Sequence, residues 1–428
     1  MPLDRSKIQL KKHSVQRSPL IRNVSLCLVL LVAVPGFAWS PSRTAVQQAI
    51  QDKLPEVIGN IPSDVEGGLV KALLALRNNR VDVALKEIDA ILEKKPNFRL
   101  GHLIKGDLLM ARYRPINSFG NVPDAQPRTI SDLREEARVR LERYLDAPPA
   151  KDRTPKYLMQ LAPSQQHAVL IDASRSRLYV FYNDNGKPKY LTDYYISIGL
   201  NGVDKEREGD QRTPIGVYHV TASLPKKTLS DFYGDAAFPI NYPNDWDKLE
   251  GRDGSGIWLH GVPSDTYSRP PRASNGCVVL TNQDLVNLSK FVQIGNTPVV
   301  ITDRVEWMDN SEWEDERDGF SKSFNRWKKD WESLDVEKYL SHYSPNFSTE
   351  GKKFSTWSAQ KRAVTTGKTW VKVGVNNMSQ FGYPGVKDMI VVNYDQEYGS
   401  NNLSTQARKR QYWVKENTGW KIIYEGSA

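Results

Sequence analysis

Two side chains have the right types and spacing for covalent chemistry: a thiol at Cys277 and an imidazole 17 positions earlier at His260. The stretch runs Ile257-Trp258-Leu259-His260-Gly261, then Arg269-Pro270-Pro271-Arg272-Ala273-Ser274-Asn275-Gly276-Cys277-Val278-Val279-Leu280. The proline-rich loop between the two residues can fold the strand ends together. A free thiol titrates near ~8.5, so only a few per cent is thiolate at neutral pH. An imidazole, with its own pKa of ~6.5, takes that proton and later returns it to a leaving amine. A backbone carbonyl near Gly261 can hold the ring tautomer. Gly276 frees the chain to turn its own N–H and that of Cys277 toward a developing oxyanion, beside Asn275. An imidazole of ordinary acidity predicts a rate that rises with loss of a proton near neutrality.

Arg269 and Arg272 precede the thiol, where guanidinium forks can grip carboxylates; a solvated loop is the competing reading. Ser274, Trp258, Tyr242 and Trp246 are candidate groove residues, with core packing as the alternative for the aromatics. Histidines at 13, 102, 167, 219, 260 and 342 show no ligand spacing, so no metal is expected, and acyl transfer through a thiol needs no cofactor.

Whether Cys277 is reactive, inert or part of an intermolecular bridge depends on its compartment. The other cysteine, Cys27, lies in a leader in which Arg5, Lys7, Lys11, Lys12, Arg17 and Arg22 precede an apolar run from Val24 to Val34. Pro35, Gly36 and Ala38 follow, so residues 1–38 have the form of a secretory signal cleaved after Ala38, with an uncleaved anchor as the alternative. Export to a periplasm follows. The leader contributes +5 of the formal +9, and the mature chain is mildly basic, which suits an anionic polymer and does not argue for nucleic acid.

At 428 residues with 39% hydrophobic and 25% charged side chains, the chain is globular and too long for one core. Apolar residues recur at three and four from Gly68 to Tyr113, so residues 39–155 are expected to be a helical segment with one tetratricopeptide-like unit, an adaptor or a dimerising element. Ser131 is expected to cap a charged helix ending at Leu145. Alternation then takes over, with Asn185-Gly186 marking a hairpin, and residues 156–303 are expected to form a mostly β domain. Residues 304–318 are acidic and read as a linker into a helix starting near Phe320. The amphipathic stretch to Leu340 and strands at 370–375, 388–394, 409–415 and 420–424 predict a small α+β cone over 319–428. Core packing accounts for most of its tryptophans.

His260-Gly261, Ser274-Asn275-Gly276-Cys277 and Gly209-Asp210-Gln211-Arg212-Thr213-Pro214-Ile215-Gly216 together resemble the L,D-transpeptidase catalytic (YkuD) domain over about 165–303. The resemblance implies a β-rich domain that attacks tetrapeptide stems of peptidoglycan between diaminopimelate and the terminal D-alanine. The acyl-enzyme then passes to an amine or to water. Two positions depart from the family's commonest motif, which has His where this chain has Asn275 and Arg where it has Val279. They shift the reading toward a divergent branch that includes cell-shape L,D-carboxypeptidases and enzymes acting on lipoprotein anchors. The C-terminal cone resembles the nuclear-transport-factor-2-like (NTF2-like) superfamily, whose members use the mouth as a pocket, here for an unknown ligand. Transpeptidation, hydrolysis by the same thioester and a non-catalytic wall-binding scaffold all remain open.

Overall fold

The computed structural model describes residues 64–113, 119–120, 126–145 and 152–428. The leader and Cys27 lie outside the described residues. Contacts divide the chain into one compact unit up to Ile130, save 97–99, and a second of 97–99 with 131–428.

The first unit holds α1 (Val65–Arg77), α2 (Val81–Lys94), α3 (Arg99–Ala111) and the start of α4 (Pro127–Leu145). The Asp64 carboxylate accepts from the Gly67 amide at 2.8 Å and caps α1. Ala84, Leu85, Ile88, Ile91 and Leu92 bury one face of α2, as the helical period requires. Ser131 is not a cap. Pro127, whose fixed φ and missing N–H suit a first turn, opens α4 four residues earlier.

Within the second unit, a five-stranded sheet is ordered β5 (Lys187–Tyr195), β4 (Arg177–Asp184), β3 (His167–Asp172), β13 (Pro298–Thr302), β7 (Gly216–His219). Asn185 and Gly186 both take positive φ, 52° and 88°, and close the β4–β5 hairpin that the dipeptide predicts. A four-stranded sheet is ordered β12 (Val278–Val279), β10 (Trp258–His260), β9 (Ala236–Pro239), β8 (Leu224–Pro225), and β11 (Arg272–Ser274) pairs with β6 (Ile198–Gly199). Two short helices, α5 (Asp245–Leu249) and α6 (Asn282–Ser289), complete this domain. Val169, Ile171, Leu178, Val180, Leu259, Val278, Leu285 and Ile301 form a dry core between the sheets.

The expected linker is largely structured. β1 (Arg153–Pro155) pairs with β14 (Trp307–Asp309), and α7 (Asn310–Glu332) begins ten residues before Phe320. Its acidic first turns are solvent-facing, but Trp313 is buried and donates from Nε1 to the Leu158 carbonyl at 3.0 Å. Then come α8 (Val336–Leu340), β15 (Tyr343–Thr349), β16 (Lys352–Lys353), α9 (Phe354–Thr366), β17 (Val371–Gly382), β18 (Met389–Ser400), β19 (Leu403–Glu416) and β20 (Gly419–Ser427). β2 (Leu158–Gln160) adds itself to the edge of β17, so the last sheet runs β16-β15-β20-β19-β18-β17-β2. One apolar cluster joins Leu170, Tyr179, Phe181 and Val300 to Tyr383, Met389, Val391 and Tyr412, so the two domains share a core. Trp327, Trp357 and Trp413 are buried, as core packing requires.

Candidate active site

β10 and β12 run parallel, with Leu259 opposite Val278 and His260 opposite Val279. Ladder partners project to one face and the face alternates along a strand. Cys277 immediately precedes β12, so carrying this register back one residue sets it level with Trp258, two residues before His260.

The His260 ring is 1% exposed, with the Tyr233 ring edge-on at 5.1 Å and that of Phe232 at 6.0 Å. Its Nδ1 lies 2.7 Å from the Gly261 carbonyl. A carbonyl only accepts, so Nδ1 carries the proton and the neutral ring keeps its lone pair on Nε2. Burial pushes the ring pKa down to about 4; the Gly261 bond opposes this and the Arg269 charge adds to it. Cys277 is partly exposed, and its thiol donates to the Gly256 carbonyl at 3.4 Å rather than to the imidazole. The shell of protein around its sulfur raises the thiol pKa, against the Trp258 amide and the charges of Arg269 and Lys205. The resting pair is thus neutral thiol with neutral base.

The rate rise expected near neutrality is therefore corrected to a lower pH. The rate of the Cys277 reaction is expected to stay flat between roughly pH 5 and 8 and to fall below that as His260 binds a proton. A pH series of kcat/KM checks this, and an acid limb centred near ~6.5 would contradict a buried neutral ring. Stability follows the same sign. His260 favours the fold fully above the unfolded pKa of ~6.5, and that contribution fades as pH falls toward about 4, because the unfolded chain protonates first.

The 209–216 segment is the frame of the thiol loop. The Asp210 carboxylate accepts from Lys205 Nζ at 2.8 Å and from the amides of Glu206, Arg207 and Arg212 at 2.8, 3.1 and 3.0 Å. These donors hold its pKa well below the usual carboxylate range against the effect of burial. Thr213 Oγ1 donates to the Gly276 carbonyl and accepts from the Gly199 amide, both at 2.9 Å. Gly276 sits at φ 120°, and a Cβ there would stand 2.7 Å from the Arg212 carbonyl oxygen.

Several candidate residues take other roles. The Gly276 amide donates to Ser274 Oγ at 3.1 Å, so it does not point at an oxyanion. Ser274 is buried and donates to the Cys277 carbonyl at 2.6 Å; it shapes the turn rather than a substrate wall. Tyr242 is a core residue whose hydroxyl donates to the Asp253 carbonyl at 2.9 Å. Trp246 packs on Tyr412 and Tyr383 of the C-terminal domain, as core packing requires. Asn275 is exposed and accepts from Gln211 Nε2 at 3.2 Å, and Trp258 packs on Tyr233 at 4.7 Å. Arg269 lies over the Phe232 ring at 4.7 Å and its charge reaches both His260 and Cys277; Arg272 is exposed.

Asn282 has a role that its sequence context hides. Its Oδ1 accepts from the amides of Val262 and Asp235 at 3.1 and 3.2 Å, and its Nδ2 donates to the Val262 carbonyl at 2.9 Å. An asparagine at a helix start suggests a cap, but Thr281 caps α6 and leaves Asn282 to clamp the strand end after His260. In the C-terminal domain, Trp331 stacks on Tyr339 and Tyr398 beside a cavity of about 200 Å³ also lined by Lys361, Gln396 and Lys409.

Residues 166–301 match the family model of the L,D-transpeptidase catalytic domain, and residues 319–426 that of the Cds6 C-terminal NTF2-like domain. The chain belongs to the L,D-transpeptidase (YkuD) family, in the form that carries a C-terminal NTF2-like domain. Among its relatives is Bd1075 of Bdellovibrio bacteriovorus, 30% identical, with a TM-score of 0.58 over 65% of this chain and 98% of that one. Another is Pgp2 of Campylobacter jejuni, described as a helical cell shape determining protein, 25% identical, with a TM-score of 0.55 over 65% of this chain and 96% of that one. YafK of Escherichia coli (strain K12) is 28% identical over 138 residues, 32% of this chain and 51% of YafK. The chain thus spans about half the length of the curated relatives it matches.

Proposed function

We propose that the protein is an exported peptidoglycan enzyme that cleaves the bond between diaminopimelate and D-alanine of tetrapeptide stems through a Cys277 thioester. The observation that carries this reading is His260 Nδ1 bound to the Gly261 carbonyl, which leaves Nε2 as a base on the strand that pairs with the one Cys277 leads into. On substrate binding the thiol exchanges the Gly256 carbonyl for Nε2. Sγ attacks the amide carbon while its proton moves to Nε2, and the Cys277 amide steadies the oxyanion. Nε2 then protonates the amine of D-alanine, which leaves as the C–N bond breaks. Arg269, facing the dyad, suits a stem carboxylate. An amine or a water then attacks the thioester.

Hydrolysis is the second reading, favoured by Asn275 and Val279 where the family's commonest motif has His and Arg. Incubating the mature protein with purified tetrapeptide muropeptides separates the two. Tripeptide monomers mean carboxypeptidation, dimers joined between diaminopimelates mean transfer, and the absence of both overturns the proposal. The family resemblance of the chain and the basic leader support a periplasmic setting. Cell wall remodelling fits the description of Pgp2 as a helical cell shape determining protein.

A further inference from the structure

The loop that carries Arg269 is held from outside its own domain. Ser268 Oγ donates to Glu136 Oε1 at 2.7 Å, and the same oxygen accepts from Arg140 Nε and Nη2 at 3.1 and 2.9 Å. Both α4 side chains are 1% exposed. The Arg140 guanidinium lies 3.7 Å from the centre of the Tyr195 ring, and Tyr195 donates its hydroxyl to the Arg269 carbonyl at 2.8 Å. Ser197 bonds the next carbonyl, that of Pro270. Tyr267 packs edge-on against Phe98 at 4.8 Å, and Asn97 donates to the Ser264 carbonyl at 3.2 Å. At its far end α4 is pinned to β5 by Arg143, which bonds both oxygens of Asp193.

A surface helix merely covering a sheet has no need of a fully desolvated glutamate–arginine pair, whose burial is costly enough to push the Glu136 pKa up to about 8. Such a pair does fix geometry, because each partner tolerates only the other's position. Here two of its outward contacts, Ser268 and Tyr195, end on the side chain of residue 268 and the backbone of residue 269. We propose that Glu136 and Arg140 are positioning residues: α4 straps the 264–270 loop through Ser268 and Tyr195 and thereby sets where the Arg269 guanidinium stands beside His260 and Cys277. Its meaning for catalysis rests on the thiol reading above; the placement of Arg269 does not.

The test is the pH dependence of Cys277 alkylation by iodoacetamide in the full chain, read on the Cys277 peptide by mass spectrometry, which needs no wall substrate. R269A removes a cation near the sulfur, so the apparent thiol pKa is expected to rise by about one unit, the low end for an opposite charge nearby. S268A and E136A are expected to move it the same way, and E136A is expected to add little to R269A. E136Q keeps an acceptor for Ser268 and Arg140 and is expected to stay near wild type. E136A leaves Arg140 buried without its carboxylate, so S268A, which removes one hydroxyl, carries the test if that variant does not fold. The proposal is overturned if folded S268A retains the wild-type profile while R269A shifts it, if the E136A and R269A shifts add in full, or if R269A itself shifts nothing. None of these outcomes depends on whether tetrapeptides are turned over.

Discussion

Replacing Cys277 with alanine is expected to reduce tripeptide and dimer formation from tetrapeptide muropeptides to background. Cys277 is the free cysteine of the described residues, so no neighbouring sulfur can substitute. Cys277→Ser keeps the geometry but offers an alcohol far weaker than a thiol as a nucleophile at neutral pH, and should be nearly as inert. His260→Gln keeps a polar side chain of similar reach without a base, and a loss of about 10²–10⁴ in kcat is expected. Nucleophile and base act as one unit, so the double variant should be little worse than Cys277→Ala alone. Single-turnover product analysis with each variant measures all four. Full activity of Cys277→Ala on sacculi would remove the thiol from the mechanism and leave the wall-binding scaffold.

The chemistry was legible where a residue type is scarce and its neighbours are distinctive. A thiol in a Ser-Asn-Gly turn, with His-Gly upstream, points to strand ends that must meet, and β10 and β12 do run side by side. The hairpin at Asn185-Gly186 was legible because few residues accept positive φ in succession. Features decided by burial were not. The His260 pKa depends on Phe232 and Tyr233, residues whose proximity has no local signal, and the engagement of the Gly276 amide follows from how Ser274 happens to rotate. Tyr242 and Ser274 have types common in grooves, yet tertiary packing places both inside. The acidic 304–318 segment resembles a linker because most of its turns face solvent; only Trp313, reaching Leu158, reveals a packed helix. Glu136 and Arg140, at helical spacing i and i+4, look like an ordinary surface pair until the fold buries them.

Gly261→Ala is expected to cause a large loss of stability. A Cβ at 261 would stand 2.0 Å from Asn282 Oδ1 and 3.3 Å from the Gly234 Cα, so the clamp has to move. Moving it strands the amides of Val262 and Asp235, which both donate to that oxygen. An unsatisfied buried donor costs about 1–3 kcal/mol, and of the two amides Val262 is buried and Asp235 half-buried, so the loss is a sizeable share of the ~5–15 kcal/mol that typically holds a protein folded. The same shift disturbs the carbonyl that fixes His260 Nδ1, so molecules that stay folded should also turn over more slowly. Urea denaturation with activity measured on the folded fraction separates the two effects. Asn282→Ala removes the colliding atom but also the clamp, so the double variant should be clearly less destabilised than the two single losses combined. Gly319→Ala is the control. It lies exposed inside α7 with nothing within 4 Å of an added Cβ, and there the methyl should stabilise by about 0.5–1 kcal/mol, because alanine restricts the unfolded chain and glycine does not. If Gly261→Ala behaves like this control, the Asn282 clamp is not what fixes the strand end behind His260.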